Sequence, residues 1–176
     1  MSFFLDLSKI NLQGANLFEA NLQRVNFFRA SLKNVTFWGA NLQGVFCFEV
    51  NLQEADLQLA NLRKVDLQRA NLQKADLRKT NLQKVNLQGA NLKEANLRLA
   101  NLQRGDLRLV NLKRTDLRGA NLQGSNLQGA YLQSSIWKPS DIVKILPQLK
   151  EAEFEYILVE DDNEQKKIYK NDLFSS

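Results

Sequence analysis

A leucine, or an occasional substitute for one, returns at every fifth residue from Leu7 to Leu132, in runs such as ANLQKADLRKTNLQKVNLQGANL. About 26 consecutive pentads fit one template, so the chain is a repeat protein before it is anything else. A small residue such as Ala15, Val25, Thr80 or Ser125 stands two before the leucine, Asn or Asp stands one before, and two polar residues usually follow.

On an α-helix a step of five advances the leucine by roughly 140°, which smears the apolar residues round the cylinder instead of gathering them into a stripe. In a flat strand an odd step puts successive leucines on opposite faces, so an ordinary half-buried sheet fails as well. A chain that turns a corner after each short extended segment remains. Residues two apart then point the same way. Ala15 and Leu17 face inward, Asn16 faces out, and the corner falls in the two residues that follow. A short polar side chain between the two inward positions suits the bend, because it can bond nearby backbone.

This pattern resembles the pentapeptide repeat family, whose motif is A(D/N)LXX. The resemblance covers Leu5 to roughly Ser135, three-quarters of the chain. It implies an all-β fold, a right-handed quadrilateral β-helix with four pentads per coil. At a sheet spacing of roughly 4.8 Å, about six and a half coils make a rod of roughly 31 Å. Departures cluster early: Phe27 and Phe37 replace centre leucines, and Phe46-Cys47-Phe48 breaks the Asn/Asp and leucine positions together. Cys47 falls in the leucine frame and is expected to be a buried thiol.

From Trp137 the period stops. The β-helix is assigned to 5–136, and 137–176 to a small C-terminal α/β cap, since the last coil of a solenoid must cover its apolar column. Ser140 followed by Asp141 signals a helix start, and Pro147 is expected to end or restart that helix after one or two turns. Phe154 to Val159 reads as a strand, with Asp161, Asp162 and Asn163 as turn formers before a return strand near Ile168 and Tyr169.

With coils of four pentads, residues 20 apart stack, and the four faces can be read separately. One face carries Arg24, Arg63, Lys64, Lys84 and Arg104 with no acidic residue. A second face, with Lys33, Lys74, Lys93, Lys113 and Arg114 against Glu54 and Glu94, is net positive, and the other two faces balance. The rod as a whole holds 18 basic and 10 acidic side chains, whereas the tail holds 6 and 9. Some members of the family resembled present acidic surfaces that mimic duplex DNA, inhibit DNA gyrase and protect it from quinolone drugs. A rod of the opposite charge argues against that role, because such mimicry must offer negative charge to a basic groove.

Outward aromatics stand one coil apart on the two balanced faces: Phe18 and Trp38 on one, Phe28 and Phe48 with Phe46 on the other. They read either as contact sites or as a cover over the N-terminal coils. Phe3 and Phe4 add apolar surface at the first coil and point to weak self-association through N-terminal ends, as a two-fold pair.

The sequence has no histidine, one cysteine, no glycine-rich phosphate loop and no GxSxG elbow, so neither catalysis nor a metal or other cofactor is expected. Asp56 and Asp76 stack on one face, but Arg78 and Lys79 beside them make charge balance the simpler account. No stretch is apolar for long enough to span a bilayer, and a cytoplasmic protein without membrane association is expected. The reading is a non-enzymatic rod that binds an unidentified protein partner as an interaction or scaffold module. A basic-face binder of nucleic acid or another polyanion is the alternative, and a DNA mimic the third.

Overall fold

The computed structural model describes residues 5–161 and 164–175. From residue 5 to residue 134 the chain is a succession of identical corners. Each centre leucine carbonyl accepts the amide three residues on, as Leu12 does from Ala15 at 3.0 Å. The residue two after each leucine takes φ of 51–62° at nineteen non-glycine positions and 63–72° at seven glycines. A positive φ at that point marks a type II turn. Each non-glycine corner costs about 1–2 kcal/mol in this conformation. Local preference therefore does not set the corner; the stacking of coils does.

The Asn or Asp before each leucine completes the bend. Asn11 Oδ1 accepts the Gln13 amide at 3.1 Å, and the same i to i+2 bond recurs along the rod as far as Asn126 and Gln128. Between coils, residue i bridges residue i+20 in parallel, from Asp6 with Asn26 to Asp116 with Ile136. Leu72 donates to the Asn91 carbonyl of the next coil at 2.7 Å, and the Asn71 amide reaches back to Val50 at 2.9 Å. Four pentads therefore make one coil of a right-handed quadrilateral β-helix.

The interior is filled by the two inward positions of each pentad. Leu57, Leu77, Leu97 and Leu117 form a fully buried column, with Ala75, Ala95 and their counterparts beside it. A buried leucine is worth roughly 1.5–3 kcal/mol, and the small partner keeps the narrow interior free of clashes. Phe27 and Phe37 lie inside, edge to face at 6.3 Å, and Cys47 is buried beside them in the same frame. Burial pushes the Cys47 thiol far above its ordinary range, and the Asp66 carboxylate adds to the shift. That holds it protonated and unreactive.

The end of the rod is covered by the non-repeating tail. β1 (Ile136–Trp137) pairs in parallel with β2 (Tyr156–Asp161), which pairs antiparallel with β3 (Glu164–Tyr169); α1 (Pro139–Lys150) connects β1 to β2, and α2 (Lys170–Phe174) follows β3. Trp137, Ile142, Ile145, Leu149 and Ile157 are buried over the last leucines. The coil ladder continues into this layer, with Leu132 donating to Glu153 at 3.0 Å and Leu158 to Ser135 at 2.8 Å.

Two sequence expectations for the tail are corrected. α1 begins at Pro139 and runs twelve residues through Pro147, with Pro147 inside it. A proline there removes a bond to the carbonyl of Val143. Val143 lies on the solvent side of the helix, 71% exposed, where water can satisfy that carbonyl. Asp161 belongs to β2 rather than to a turn, and Asp162 and Asn163 lie outside the described residues. Phe3 and Phe4 lie outside them too.

Candidate interaction surface

Side chains at the corners are displayed in columns one coil apart, and the aromatic residues of the first coils use this geometry. Phe18 and Trp38 stack face to face, with centroids 5.0 Å apart and planes within 2°. On the opposite face Phe28 lies 6.4 Å from Phe46 and 6.1 Å from Phe48. The Arg29 guanidinium covers Phe28 at 4.9 Å, and that of Arg69 lies over Phe48 at 5.9 Å. Phe18 and Phe46 remain about half exposed, while Trp38, Phe28 and Phe48 are partly buried by their neighbours. The structure thus brings the five into two separate patches.

Exposed leucines extend this apolar display further along the rod. Leu59 and Leu99 stand on the same face as Phe18 and Trp38, and Leu109 on the same face as Phe48, each about half exposed. Sequence reasoning passed over them because at outward positions it followed only charged and aromatic residues.

On each of three faces some charged residues are paired within their own columns or corners. Glu49 sits between Arg29 at 2.6 Å and Arg69 at 3.6 Å, and Glu94 is 3.7 Å from Arg114. Arg78, Arg108 and Arg118 each grip the aspartate two residues back, at 2.7, 2.6 and 2.5 Å. The Arg108 side chain holds the Asp106 carboxyl below its ordinary pKa. Asp76, engaged by Arg78, is not available as a cation ligand with Asp56, and no group of three or more His, Cys, Asp or Glu among the described residues could hold a metal.

The fourth face is different. Lys64, Lys84 and Arg104 occupy successive coils of one column, their amides donating to Gln83, Gln103 and Gln123 at 2.9–3.0 Å. Among the described residues none of Arg24, Arg63, Lys64, Lys84 and Arg104 has a carboxylate within 4.0 Å. Arg24 stands two coils from Lys64 across Gly44, so the group splits into one outlier and a cluster of four. A shallow groove of about 450 Å³ runs beside the cluster, lined by Arg63, Gln83, Lys84, Gln103, Arg104 and Gln123. The glutamines form their own ladder, Gln83 donating to Gln103 at 2.9 Å and Gln103 to Gln123 at 3.3 Å.

The repeat geometry agrees with a family comparison: the model for pentapeptide repeats matches in eight copies, with matched segments running from residue 10 to residue 133. The chain belongs to the pentapeptide repeat family. Among solved structures it is similar to a pentapeptide repeat protein from Nostoc Pcc 7120, at 33% identity over 59% of this chain and 84% of that one, with a TM-score of 0.50. A pentapeptide repeat protein from the cyanobacterium Cyanothece 51142 matches at 29% identity over 65% of this chain and 85% of that one, with a TM-score of 0.42. A trypsin-treated variant of QnrB1, a plasmid-mediated fluoroquinolone resistance protein, matches at 15% identity over 90% of this chain and 91% of that one, with a TM-score of 0.39. No curated protein sequence matches the chain. No helix among the described residues is long and apolar enough to cross a membrane.

Proposed function

We propose that this protein is a non-enzymatic interaction module of the cytoplasm, a rigid rod that docks a protein partner through the aromatic patches of its first coils. The observation that carries the reading is the outward stack of Phe18 on Trp38, half exposed on a rod whose remaining corners are largely polar. Large rigid aromatics displayed with arginine nearby are the side chains that dominate protein interfaces. A sequence without histidine, and a single thiol buried at Cys47, supports the non-enzymatic part of the reading. A lone unpaired cysteine suits a reducing compartment.

The experiment compares wild type with Phe18→Gln/Trp38→Gln and with Phe46→Gln in cross-linking from the native cell. One partner captured by wild type and lost by a variant of unchanged melting temperature supports the reading. The same partner captured by all three overturns the assignment to these patches.

A DNA-mimicking role is not part of this proposal, since the rod carries 18 basic against 10 acidic side chains. Gyrase supercoiling in the presence of micromolar protein is expected to be unchanged.

A further inference from the structure

We infer that the column formed by Lys64, Lys84 and Arg104, with Arg63 beside it, is a binding strip for a linear chain of linked phosphates. Corners in one column repeat at roughly the sheet spacing of 4.8 Å, so the three stacked cations span roughly 10 Å in single file. Like charges directly opposite one another on neighbouring strands are destabilising. Elsewhere carboxylates relieve this cost, for Glu49 separates Arg29 from Arg69, Glu94 stands between the Lys74 and Arg114 positions and 3.5 Å from Lys93, and in the stack of Arg78, Arg98 and Arg118 the outer two are held by Asp76 and Asp116. Solubility alone would be served equally by such alternation. The uncompensated column is therefore the feature that needs an anion.

The surroundings define what kind of anion. The Asn41, Asn61 and Asn81 positions that flank the strip are neutral, and Asn61 donates to Asn41 at 3.2 Å. The Arg63 Nε is buried without an acceptor, which leaves a cationic donor unsatisfied at the strip itself. Asp66, which lines the adjacent hollow with Lys64 and Phe46, is the neighbouring carboxylate, and it accepts from the Gln68 amide at 3.0 Å. Cations and amide donors in the groove suit phosphate oxygens.

Charge count decides between a nucleic acid and a short phosphate chain. Four cations on duplex DNA give a salt slope of about −3.6, short of the six to ten contacts of an effective duplex binder. Single strands are held by aromatic platforms on which bases stack. The groove lining contains no aromatic side chain. A phosphate chain needs neither bases nor length, and places its charges in single file as the strip does.

The test is calorimetric titration of inorganic tripolyphosphate at 50 and 200 mM salt, the range over which phosphate contacts weaken measurably. The proteins are wild type, Lys64→Gln/Lys84→Gln/Arg104→Gln, and the equally charged control Lys33→Gln/Lys74→Gln/Lys113→Gln. Wild type and control are expected to bind with matching affinity, and the strip variant about tenfold or more weakly. Arg104→Gln alone, which leaves the rest of the column intact, gives a smaller loss in the same direction should the triple variant fold poorly. ATP without magnesium binding as tightly as tripolyphosphate supports the inference with a nucleotide triphosphate as the source. Tripolyphosphate binding alone supports it with a free phosphate chain. No binding by wild type, equal loss in both triple variants, or a short duplex DNA bound more tightly than tripolyphosphate overturns it.

Discussion

The Asp141 carboxylate of α1 accepts a 2.8 Å hydrogen bond from the amide of Gly119, a corner residue of the rod. Asp141 is buried, and its second oxygen faces Lys144 at 3.6 Å. The bond fixes α1 across the last leucines, so it joins the cap to the coil stack. Arg118, one residue before Gly119, adds a second tie by pairing with Asp116 in its own corner and with Glu160 of β2.

Asp141→Ala removes a charged acceptor and leaves the Gly119 amide unpaired under the helix. The expected cost is about 1.5–3 kcal/mol. For a chain of this length each kcal/mol lowers the melting temperature by about 2–4 °C. A calorimetric scan showing wild-type melting for Asp141→Ala would show that α1 is held by its apolar face alone.

The leucine column predicts the largest effect. Leu72 is fully buried in the middle of the rod, and Leu72→Lys places an ammonium where no partner exists. The rod should unfold or split there, since each coil contacts only its neighbours. Circular dichroism of the variant checks this, and an unchanged melt would mean that the inward frame is misassigned.

How much of this was legible in the sequence follows from which contacts are periodic. Leu72, Asn71 and Ala70 each stand for a position repeated all along the rod, so period, inward frame and bend chemistry could be read together. The corner conformation was legible too but missed. All seven corner glycines, Gly14 and Gly129 among them, fall two after the leucine, and none one after it. That is the mark of a positive φ at one fixed position. Asp141 with Gly119, 22 residues apart, belongs to no repeat and left no trace. Thr80 and Thr115 were legible as small inward residues, but not that their hydroxyls donate to the buried Leu57 and Leu92 carbonyls at 2.8 Å. The basic face was visible as composition. Its lack of acidic residues was visible too, whereas the contrast with paired columns became visible only once Glu49 was seen bridging Arg29 and Arg69.

That contrast gives a stability prediction. Lys84→Glu would set a carboxylate between Lys64 and Arg104, reproducing the alternation of Arg29, Glu49 and Arg69. Replacing a like-charge stack by opposite pairs is worth about 0.2–1 kcal/mol per pair. A small rise in melting temperature at low salt is expected, fading as salt screens the pairs. A fall would show that Lys64, Lys84 and Arg104 do not repel in the folded protein.

Acid should act through Asp106, gripped by Arg108 at 2.6 Å. Asp106 has its folded-state pKa lowered by the Arg108 side chain. A depressed carboxylate contributes stability above its unfolded pKa and loses it as pH falls through the folded value. Between neutral and acid pH, wild type should therefore lose more stability than Asp106→Asn, which has no carboxylate to protonate. Parallel melting curves for the two proteins over that range would assign acid sensitivity to other groups.

The final prediction concerns the end of the rod opposite the cap. In the first coil Leu5 is 54% exposed, and Leu12, Leu17 and Leu22 are only partly buried, whereas Leu72 is fully covered. Among the described residues the amides of Asn11, Asn16 and Asn21 have no backbone acceptor, although the equivalent Asn71 amide bonds to Val50 at 2.9 Å. A free parallel edge above an apolar column is a template for another chain. A two-fold axis across the rod would set two such edges antiparallel, each Asn offering both its amide and its carbonyl to its mate. Light scattering over a concentration series should then show mass rising above the 20.2 kDa of one chain. Leu5→Glu/Ile10→Glu places charge on that edge and should hold the protein monomeric without lowering its melting temperature by more than a few degrees, about what 1 kcal/mol produces. A monomer at every concentration, for wild type and variant alike, would show that the first coil does not serve as a contact between copies.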